Sequence, residues 1–279
     1  MIDIKNIDYS YKKGKKVYTD FSLNIPAGGI YGLLGRNGTG KSTLLYLICG
    51  LLKPQKGSCQ INNIDASERN VDILKDIFLV PEEFELPSCT LNTYVRINKP
   101  FYPNFSEELL NRCLEVFSLS RDIHLKALSM GMKKKVFVSF ALATQTRLLL
   151  MDEPTNGLDI PSKSQFRRIL SWLATEERTI IISTHQVKDV EQLFDHFIII
   201  DENNLLAEAS TNKITETFRF EMRDLSEINE DELYSRPTFG GKEVICLNPT
   251  GEETPVNLEL LFTALIEKPE ISKYLNNEK

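Results

Sequence analysis

Short aliphatic runs recur through the first 200 residues, and segments of helical length separate them. The runs are four or five residues long and apolar nearly throughout, at positions 30–34, 77–80, 148–151, 179–182 and 197–200. A run of this length without alternation is typical of a strand that is buried on both faces. Their alternation with helices predicts an α/β fold around a central, mostly parallel sheet.

Two other regions show different patterns. Residues 2–9 alternate apolar and polar positions and predict an edge-type strand, and residues 17–25 predict its partner across a hairpin. These strands would form an antiparallel β subdomain. From about 87 to 144 the pattern becomes helical, with predicted helices at 90–97, 106–117 and 133–144. We expect this stretch to be a helical insert between two parts of a strand-rich domain.

The pattern weakens beyond about residue 215. Short strands are predicted at 218–222 and 244–247, and an amphipathic helix at 257–267. The chain is therefore expected to divide into a main domain of residues 1–212 and a small C-terminal accessory domain of residues 213–279. The role of this second domain stays open.

Composition narrows the class of protein. The net charge is −6 and the pI about 5.3, which disfavours nucleic acid as a partner. The five cysteines are scattered without a C-x-x-C pair, as in a cytosolic protein with reduced thiols. The N-terminus lacks a signal-peptide pattern, and no apolar run is long enough to span a bilayer. If this protein works at a membrane, another chain would supply the membrane-spanning segments.

A phosphate-binding loop follows the strand predicted at 30–34. Its first eight residues match the motif G-x-x-x-x-G-K-S, and a threonine follows them. The nine residues are Gly35, Arg36, Asn37, Gly38, Thr39, Gly40, Lys41, Ser42 and Thr43. The glycines let backbone N–H groups approach phosphate oxygens, and the next helix points its positive end at them. Lys41 would stand beside the β- and γ-phosphates, and the Ser42 hydroxyl would ligate Mg²⁺. All nine residues are expected to contact the nucleotide.

Two acids end the strand predicted at 148–151. Asp152 at a strand end can hold Mg²⁺, and Glu153 can orient or deprotonate an attacking water. Acids after a strand also begin helices, so the pair alone is ambiguous. With a phosphate loop upstream, it indicates a nucleotide hydrolase.

At this point the sequence resembles the ATP-binding cassette (ABC) ATPases, whose motifs appear in the family's order over residues 1 to about 210. The stretch Leu-Ser-Met-Gly-Met at 128–132 resembles the family signature LSGGQ, about 20 residues before Asp152. In this family two cassettes clamp two ATP molecules head to tail. The resemblance implies that Ser129 and Gly131 contact the γ-phosphate of the partner's ATP.

Further residues carry the resemblance. Asn-Gly-Leu-Asp at 156–159 resembles the D-loop, which packs across the dimer, and His185 resembles the switch histidine that senses the γ-phosphate. Tyr11 resembles the aromatic residue that stacks on adenine, although an aromatic residue after a first strand can equally belong to the core. The resemblance thus implies catalytic roles for Glu153, His185 and Lys41.

The chain departs from the family at two motifs. Glu82 stands where the family has glutamine, and Met130 and Met132 replace Gly and Gln of the signature. A carboxylate is an acceptable ligand for a hard cation, so we expect Glu82 to join Ser42 and Asp152 at the metal and to raise the dependence on Mg²⁺.

Each of two lysine-rich runs allows two interpretations. The run at 12–16 is either an anion patch or a solvated hairpin turn, and the run at 133–135 either binds nucleic acid or lipid headgroups or forms a solvated helix face. We favour the solvated reading for both.

The resemblance implies an ATPase that binds ATP and Mg²⁺ and powers transport with a separate permease. It would be cytoplasmic, on the inner face of the cell membrane, and would pair with a second ATPase subunit, identical or different. The alternative is a permease-free ABC ATPase such as an iron–sulfur assembly component. A DNA- or ribosome-associated protein is disfavoured by the acidic charge, and a metabolic kinase by the signature and D-loop. The cargo and its direction are not encoded here.

Overall fold

The computed structural model describes residues 1–12, 14–173, 177–189, 191–227, 229–252 and 254–276. The strands are β1 Ile2–Ser10, β2 Lys16–Ile25, β3 Gly29–Leu34, β4 Lys56–Ile61, β5 Ile64–Asp65, β6 Ile77–Val80, β7 Leu148–Asp152, β8 Thr179–Thr184, β9 His196–Asp201, β10 Asn204–Ser210, β11 Phe218–Arg223, β12 Glu232–Thr238 and β13 Gly241–Leu247. The α-helices are α1 Lys41–Ile48, α2 Val71–Leu74, α3 Leu91–Asn98, α4 Glu107–Val116, α5 Met130–Ala143, α6 Ile160–Ser171, α7 Thr211–Thr217, α8 Leu258–Glu267 and α9 Lys273–Asn276. Every helix in this part of the chain is too short or too polar to cross a membrane.

The central sheet has the strand order β10-β9-β3-β8-β7-β6. All its pairs are parallel except that of β9 with β10. The five aliphatic runs all lie in this sheet, so the predicted mostly parallel α/β core is confirmed. Because β3, β7 and β8 run in the same direction, the loops that follow them meet at one edge of the sheet.

Successive side chains of the central strands enter two different cores. In β7, Leu149 and Met151 join one apolar cluster, whereas Leu148 and Leu150 join the other. This is the two-residue alternation of a strand that is covered on both faces. The first cluster also holds the helical insert, and the second holds α1 and the antiparallel sheet.

The antiparallel subdomain has the order β2-β1-β4-β5. The prediction that β1 is an edge strand is wrong, because β1 pairs with β2 on one side and with β4 on the other. Alternation of apolar and polar residues reports which faces of a strand are buried. It does not report which edges are paired, and β4 is brought here from beyond the phosphate-loop helix.

The helical insert forms as expected, with α3, α4 and α5 each beginning at a hydroxyl cap. Thr90, Ser106 and Ser129 accept hydrogen bonds from the backbone N–H groups three residues ahead. Helices α4 and α5 pack together, and α5 contacts β6 of the central sheet. The insert therefore shares the core of the sheet.

The C-terminal region forms a sheet of order β11-β13-β12, followed by α8. Strand β12 was not predicted, because it alternates polar residues and contains Pro237. The apolar side chains of the C-terminal region, including Phe218 in β11, Ile245 in β13 and Leu261 in α8, belong to the same cluster as the helical insert. The expected boundary at residue 212 falls within α7, and the division into two domains stays a prediction.

Candidate nucleotide-hydrolysis site

A cleft of about 520 Å³ opens at the edge of the central sheet where the motifs meet. It is lined by Tyr11, Lys15, Lys16, Val17, Asn37, Gly38, Gly40, Lys41, Ser42, Thr43, Glu82, Asp152, Glu153, Asn156, His185 and Asn203. The phosphate loop, the acids after β7, the stretch 156–159 and the positions of Glu82, His185 and Tyr11 thus all contribute to one concave surface.

The phosphate loop wraps around the side chain of Lys41. The Lys41 ammonium donates to the carbonyl oxygens of Gly35 at 2.7 Å and Arg36 at 3.2 Å. Gly35 has no room for a side chain, because a Cβ would lie 2.7 Å from the carbonyl oxygen of Ile200. Gly40 caps α1 with φ 104°, a conformation that glycine adopts without strain. Burial lowers the pKa of Lys41, and the nearby carboxylates oppose that shift only in part.

Three loop residues lie outside the lining of the cleft and shape the loop instead. The Arg36 guanidinium donates to both carboxylate oxygens of Asp201, at 2.8 and 2.6 Å. The Thr39 hydroxyl donates to the carbonyl oxygen of Arg36 at 2.8 Å. The side chains of Arg36 and Thr39, together with Gly35, therefore hold the backbone that the other loop residues present to the cleft.

Asp152 is buried at the end of β7, and its two oxygens differ. The Ser183 hydroxyl donates to Oδ1. Oδ2 is buried, and the described residues offer it no hydrogen-bond partner. A buried carboxylate oxygen is costly without a partner, so this atom is suited to bind a cation from the cleft.

Glu153 is also buried, with 4% of its surface exposed, and polar groups surround its carboxylate. Its Oε1 accepts from the backbone N–H of His185 at 2.9 Å and lies 2.7 Å from His185 Nδ1. Its Oε2 accepts from the Thr184 hydroxyl at 3.2 Å, and the Lys41 ammonium is 3.9 Å from Oε1. Because carboxylate oxygens accept hydrogen bonds, the His185 imidazole donates to Glu153 from Nδ1 in this pair.

Glu82 and Tyr11 also line the cleft. The exposed Glu82 carboxylate accepts from the Asn156 side-chain amide at 2.9 Å, so it contacts the loop that resembles the D-loop. The Tyr11 hydroxyl is 3.0 Å from the Thr43 hydroxyl, and the ring packs edge-on against Tyr9. Tyr11 is 45% exposed, so it belongs to the cleft and not to the core.

Ser129 and Gly131 are not part of the cleft lining of their own chain. Ser129 caps α5 by accepting from the backbone N–H of Met132 at 3.3 Å. Gly131 lies against the next motif, because a Cβ there would be 3.3 Å from the carbonyl oxygen of Gly157. The structure thus brings the signature to the loop that resembles the D-loop, away from the phosphate loop.

The contacts of the two lysine runs were not predicted from the sequence. Lys15 and Lys16 follow the hairpin turn yet also line the cleft, and Lys13 lies outside the described residues. Within the second run, the solvated reading is wrong for Lys134, which is 3% exposed and donates to backbone carbonyls. A lysine triplet carries no signal for which member points inward. Asn203, in the turn between β9 and β10, was also missed.

The fold and the site together define a class. A phosphate loop at a helix N-terminus faces a buried aspartate with an open oxygen and a buried glutamate paired with histidine. That combination of parts defines a phosphate-loop nucleotide hydrolase.

Comparison with known proteins narrows the class to one family. The model of the family described as "ABC transporter" matches residues 18–156. The bacitracin transport ATP-binding protein BcrA of Bacillus licheniformis is 34% identical, over 74% of this chain and 69% of its own length. The lantibiotic transport ATP-binding protein SrtF of Streptococcus pyogenes is 31% identical, over 75% of this chain and 90% of its own. The ABC transporter ATP-binding protein YtrB of Bacillus subtilis is 25% identical over 98% of this chain and 89% of its own length.

Similar solved structures belong to the same family. A dimeric bacterial ABC transporter cassette has a TM-score of 0.66 at 27% identity, covering 75% of this chain and 98% of that one. The same cassette is known in a post-hydrolysis state with ADP and phosphate. This chain therefore belongs to the ABC transporter family and is an ATP-hydrolysing subunit of that family. These relatives give no support to the alternative of an iron–sulfur assembly component.

Proposed function

We propose that the chain hydrolyses ATP with Mg²⁺ in this cleft, as one of two ATPase subunits held head to tail under a permease on the inner face of the cytoplasmic membrane. The observation that carries the proposal is the Glu153 carboxylate, which is buried beside both Lys41 and His185. A base, a cation and a hydrogen-bonding partner for phosphate are thus assembled at one point.

The donor set fits a magnesium ion. Asp152 Oδ2 is a buried acceptor without a protein partner among the described residues, and Ser42 and Glu82 line the same cleft. Oxygen ligands of this kind are those that Mg²⁺ prefers. When bound, the cation neutralises charge on the triphosphate and polarises the phosphoryl group under attack.

The protein groups divide the remaining work. The Lys41 ammonium exchanges its loop carbonyls for the β- and γ-phosphate oxygens, and backbone N–H groups at the start of α1 hold the same oxygens. Glu153 accepts a proton from the attacking water. His185, anchored through Nδ1, holds the γ-phosphate side and keeps the carboxylate in place. Tyr11 stacks on the adenine.

A second subunit completes the site. Ser129 and Gly131 lie at the start of α5 outside their own cleft, and Met130 between them is an apolar residue that is 57% exposed. Apolar surface of this kind is suited to a protein contact. In the proposed pair, this face meets the phosphate loop of the partner, as in dimeric cassettes.

The permease is proposed to dock in an apolar groove of about 470 Å³ between the central domain and the helical insert. Leu51, Val71 and Phe101 line it and are 55%, 76% and 67% exposed. Because it touches both the sheet side and the insert, a partner bound here would sense their relative position. Two relatives are named for the transport of different cargoes, bacitracin and a lantibiotic. Similar ATPase subunits can serve different cargoes if the permease holds the cargo pocket.

The test is co-purification of the tagged chain from gently solubilised membranes of its native cell. We expect a polytopic membrane protein in stoichiometric amount with the wild type. Val71→Glu and Phe101→Glu should release it while ATP hydrolysis by the isolated subunit persists. Phe239→Glu, which changes an exposed phenylalanine in the turn between β12 and β13, is the matched control and should retain it. Recovery of the wild type with soluble partners alone would overturn the proposal.

A further inference from the structure

Lys134 is a buried lysine whose position the mechanism above does not use. It lies in the second turn of α5 with 3% of its surface exposed. Its ammonium donates to the carbonyl oxygens of Glu153 at 2.8 Å and of Asn156 at 3.0 Å. Burial lowers its pKa, and the carboxylates of Glu82, Glu153 and Asp152 oppose that shift in part. A lysine is rarely buried unless its donors are used.

The two carbonyls belong to backbone that needs support. Glu153 has φ 46°, in the left-handed region that a glutamate seldom occupies. Its N–H donates to the carbonyl oxygen of Ser183 at 3.0 Å, and its C=O accepts from the Lys134 ammonium at 2.8 Å and from the Asn156 N–H at 3.1 Å. Fixing the groups on both sides of the Cα keeps a strained residue in one conformation. The side chain of that residue is the carboxylate that faces the cleft.

The second carbonyl extends this link. Asn156 donates through its side chain to Glu82 at 2.9 Å, while its carbonyl accepts from Lys134. One ammonium group therefore joins three parts of the molecule: helix α5, the backbone of Glu153 and the loop that resembles the D-loop.

We propose that Lys134 is a positioning residue for ATP hydrolysis: it fixes the backbone of Glu153, and with it the carboxylate, to the helix that carries the signature. The assignment rests on the role given to Glu153 in the proposed function. Lys134 touches none of the reacting groups and acts through Glu153. A shift of α5, when Ser129 meets the partner's nucleotide, then reaches the catalytic carboxylate through Lys134.

The first experiment compares ATP hydrolysis and ATP binding in Lys134→Met, which keeps the length and apolar stem but removes the donors. We expect kcat to fall about tenfold or more, with the Kd for ATP changed less than twofold, because the phosphate loop is untouched. Lys134→Gln keeps two N–H donors and should lie between. Lys135→Met is the control, because Lys135 is on the same helix but packs over the Phe117 ring. A kcat of Lys134→Met equal to that of the control would overturn the proposal.

The second experiment separates positioning from a general loss of structure. In a Glu153→Gln background, Lys134→Met should have no further effect on residual hydrolysis, because the group it positions is already disabled. An equal fold loss in both backgrounds would show that Lys134 acts elsewhere. If Lys134→Met melts at a much lower temperature, Lys134→Gln carries the same comparison. Normal hydrolysis by Glu153→Gln alone would defeat the role of Glu153 instead.

Discussion

The two walls of the cleft are built in different ways. The phosphate wall, residues 35–43, is contiguous in sequence, and Lys41 and Thr39 bond to carbonyls within the loop. Its hydrogen bonds to distant residues are few among the described residues: Arg36 with Asp201, Gly40 with Tyr18 and Thr43 with Tyr11. The carboxylate wall comprises Glu82, Asp152, Glu153 and His185. Its members come from different strands and loops, and their contacts span as many as 74 residues of sequence.

This difference teaches where the site is sensitive. A wall made of contiguous residues keeps its shape if its own residues are kept. A wall assembled from several elements depends on neighbouring residues outside the cleft lining. Lys134, which bonds to Glu153, and Ser183, which bonds to Asp152, are two such neighbours. We therefore expect changes in the phosphate wall to alter ATP affinity and changes in the carboxylate wall to alter turnover.

The sharpest test of this contrast is Glu153→Gln. Removal of the base should lower kcat at least 100-fold, within the usual range for general base catalysis. The Kd for ATP should stay within about twofold, since the amide keeps the shape and Lys41 keeps its loop contacts. Steady-state hydrolysis and fluorescent-ATP binding measure the two quantities. Near-normal hydrolysis with intact binding would place the base elsewhere.

Lys41→Met is the counterpart in the phosphate wall. Its ammonium should make charge-assisted hydrogen bonds to the triphosphate, worth about 1.5–3 kcal/mol. The Kd for ATP should therefore rise roughly 10- to 100-fold. Equilibrium binding measures it, and Lys53→Met, an exposed lysine after α1, is the control. Unchanged affinity with a lower kcat would break the contrast between the two walls.

The same contrast explains how much of the site the sequence could predict. The phosphate wall was readable because its residues are adjacent and each type has a fixed use. The acids after β7 were readable because a parallel sheet brings strand ends to one edge. The role of Lys134 could not be predicted from the sequence, because its partners are backbone carbonyl groups, which every residue type has. Lys15, Lys16 and Asn203 were missed because they reach the cleft through turns.

For the fold, hydrophobic runs predicted the central strands because those strands are buried on both faces. The position of β1 was mispredicted, since pairing with β4 is a long-range event that leaves no local trace. Strand β12 was missed because its stabilising contacts are charged: Arg236 pairs with Glu243 at 2.7 Å and with Glu259 at 3.2 Å. Such residues look like a surface loop in the sequence.

Glu82→Gln tests the departure from the family within the carboxylate wall. We compare the Kd for ATP without and with Mg²⁺. The ratio of the two should fall about tenfold in the variant, because metal-free ATP is repelled less and the cation loses a charged ligand. Titrations in a chelator and in Mg²⁺ give both constants, with the exposed neighbour Glu83→Gln as control. An unchanged ratio would remove Glu82 from the metal site.

The smallest expected effect concerns Tyr11, which adjoins the phosphate wall but is proposed to contact the base. Tyr11→Leu removes the stacking surface and should raise the Kd for ATP about fivefold, equivalent to roughly 1 kcal/mol. Tyr11→Phe keeps the ring and loses only the hydroxyl contact with Thr43, so it should stay within about twofold.

Inorganic triphosphate separates the two contributions, because it lacks the adenine. Its Kd should be the same for the wild type and Tyr11→Leu if the ring acts on the base alone. If Tyr11→Leu weakened triphosphate and ATP equally, Tyr11 would support the phosphate loop through Thr43 and would have no stacking role. The phosphate wall would then include Tyr11, next to the end of β1, and it would no longer be built from one contiguous stretch of chain.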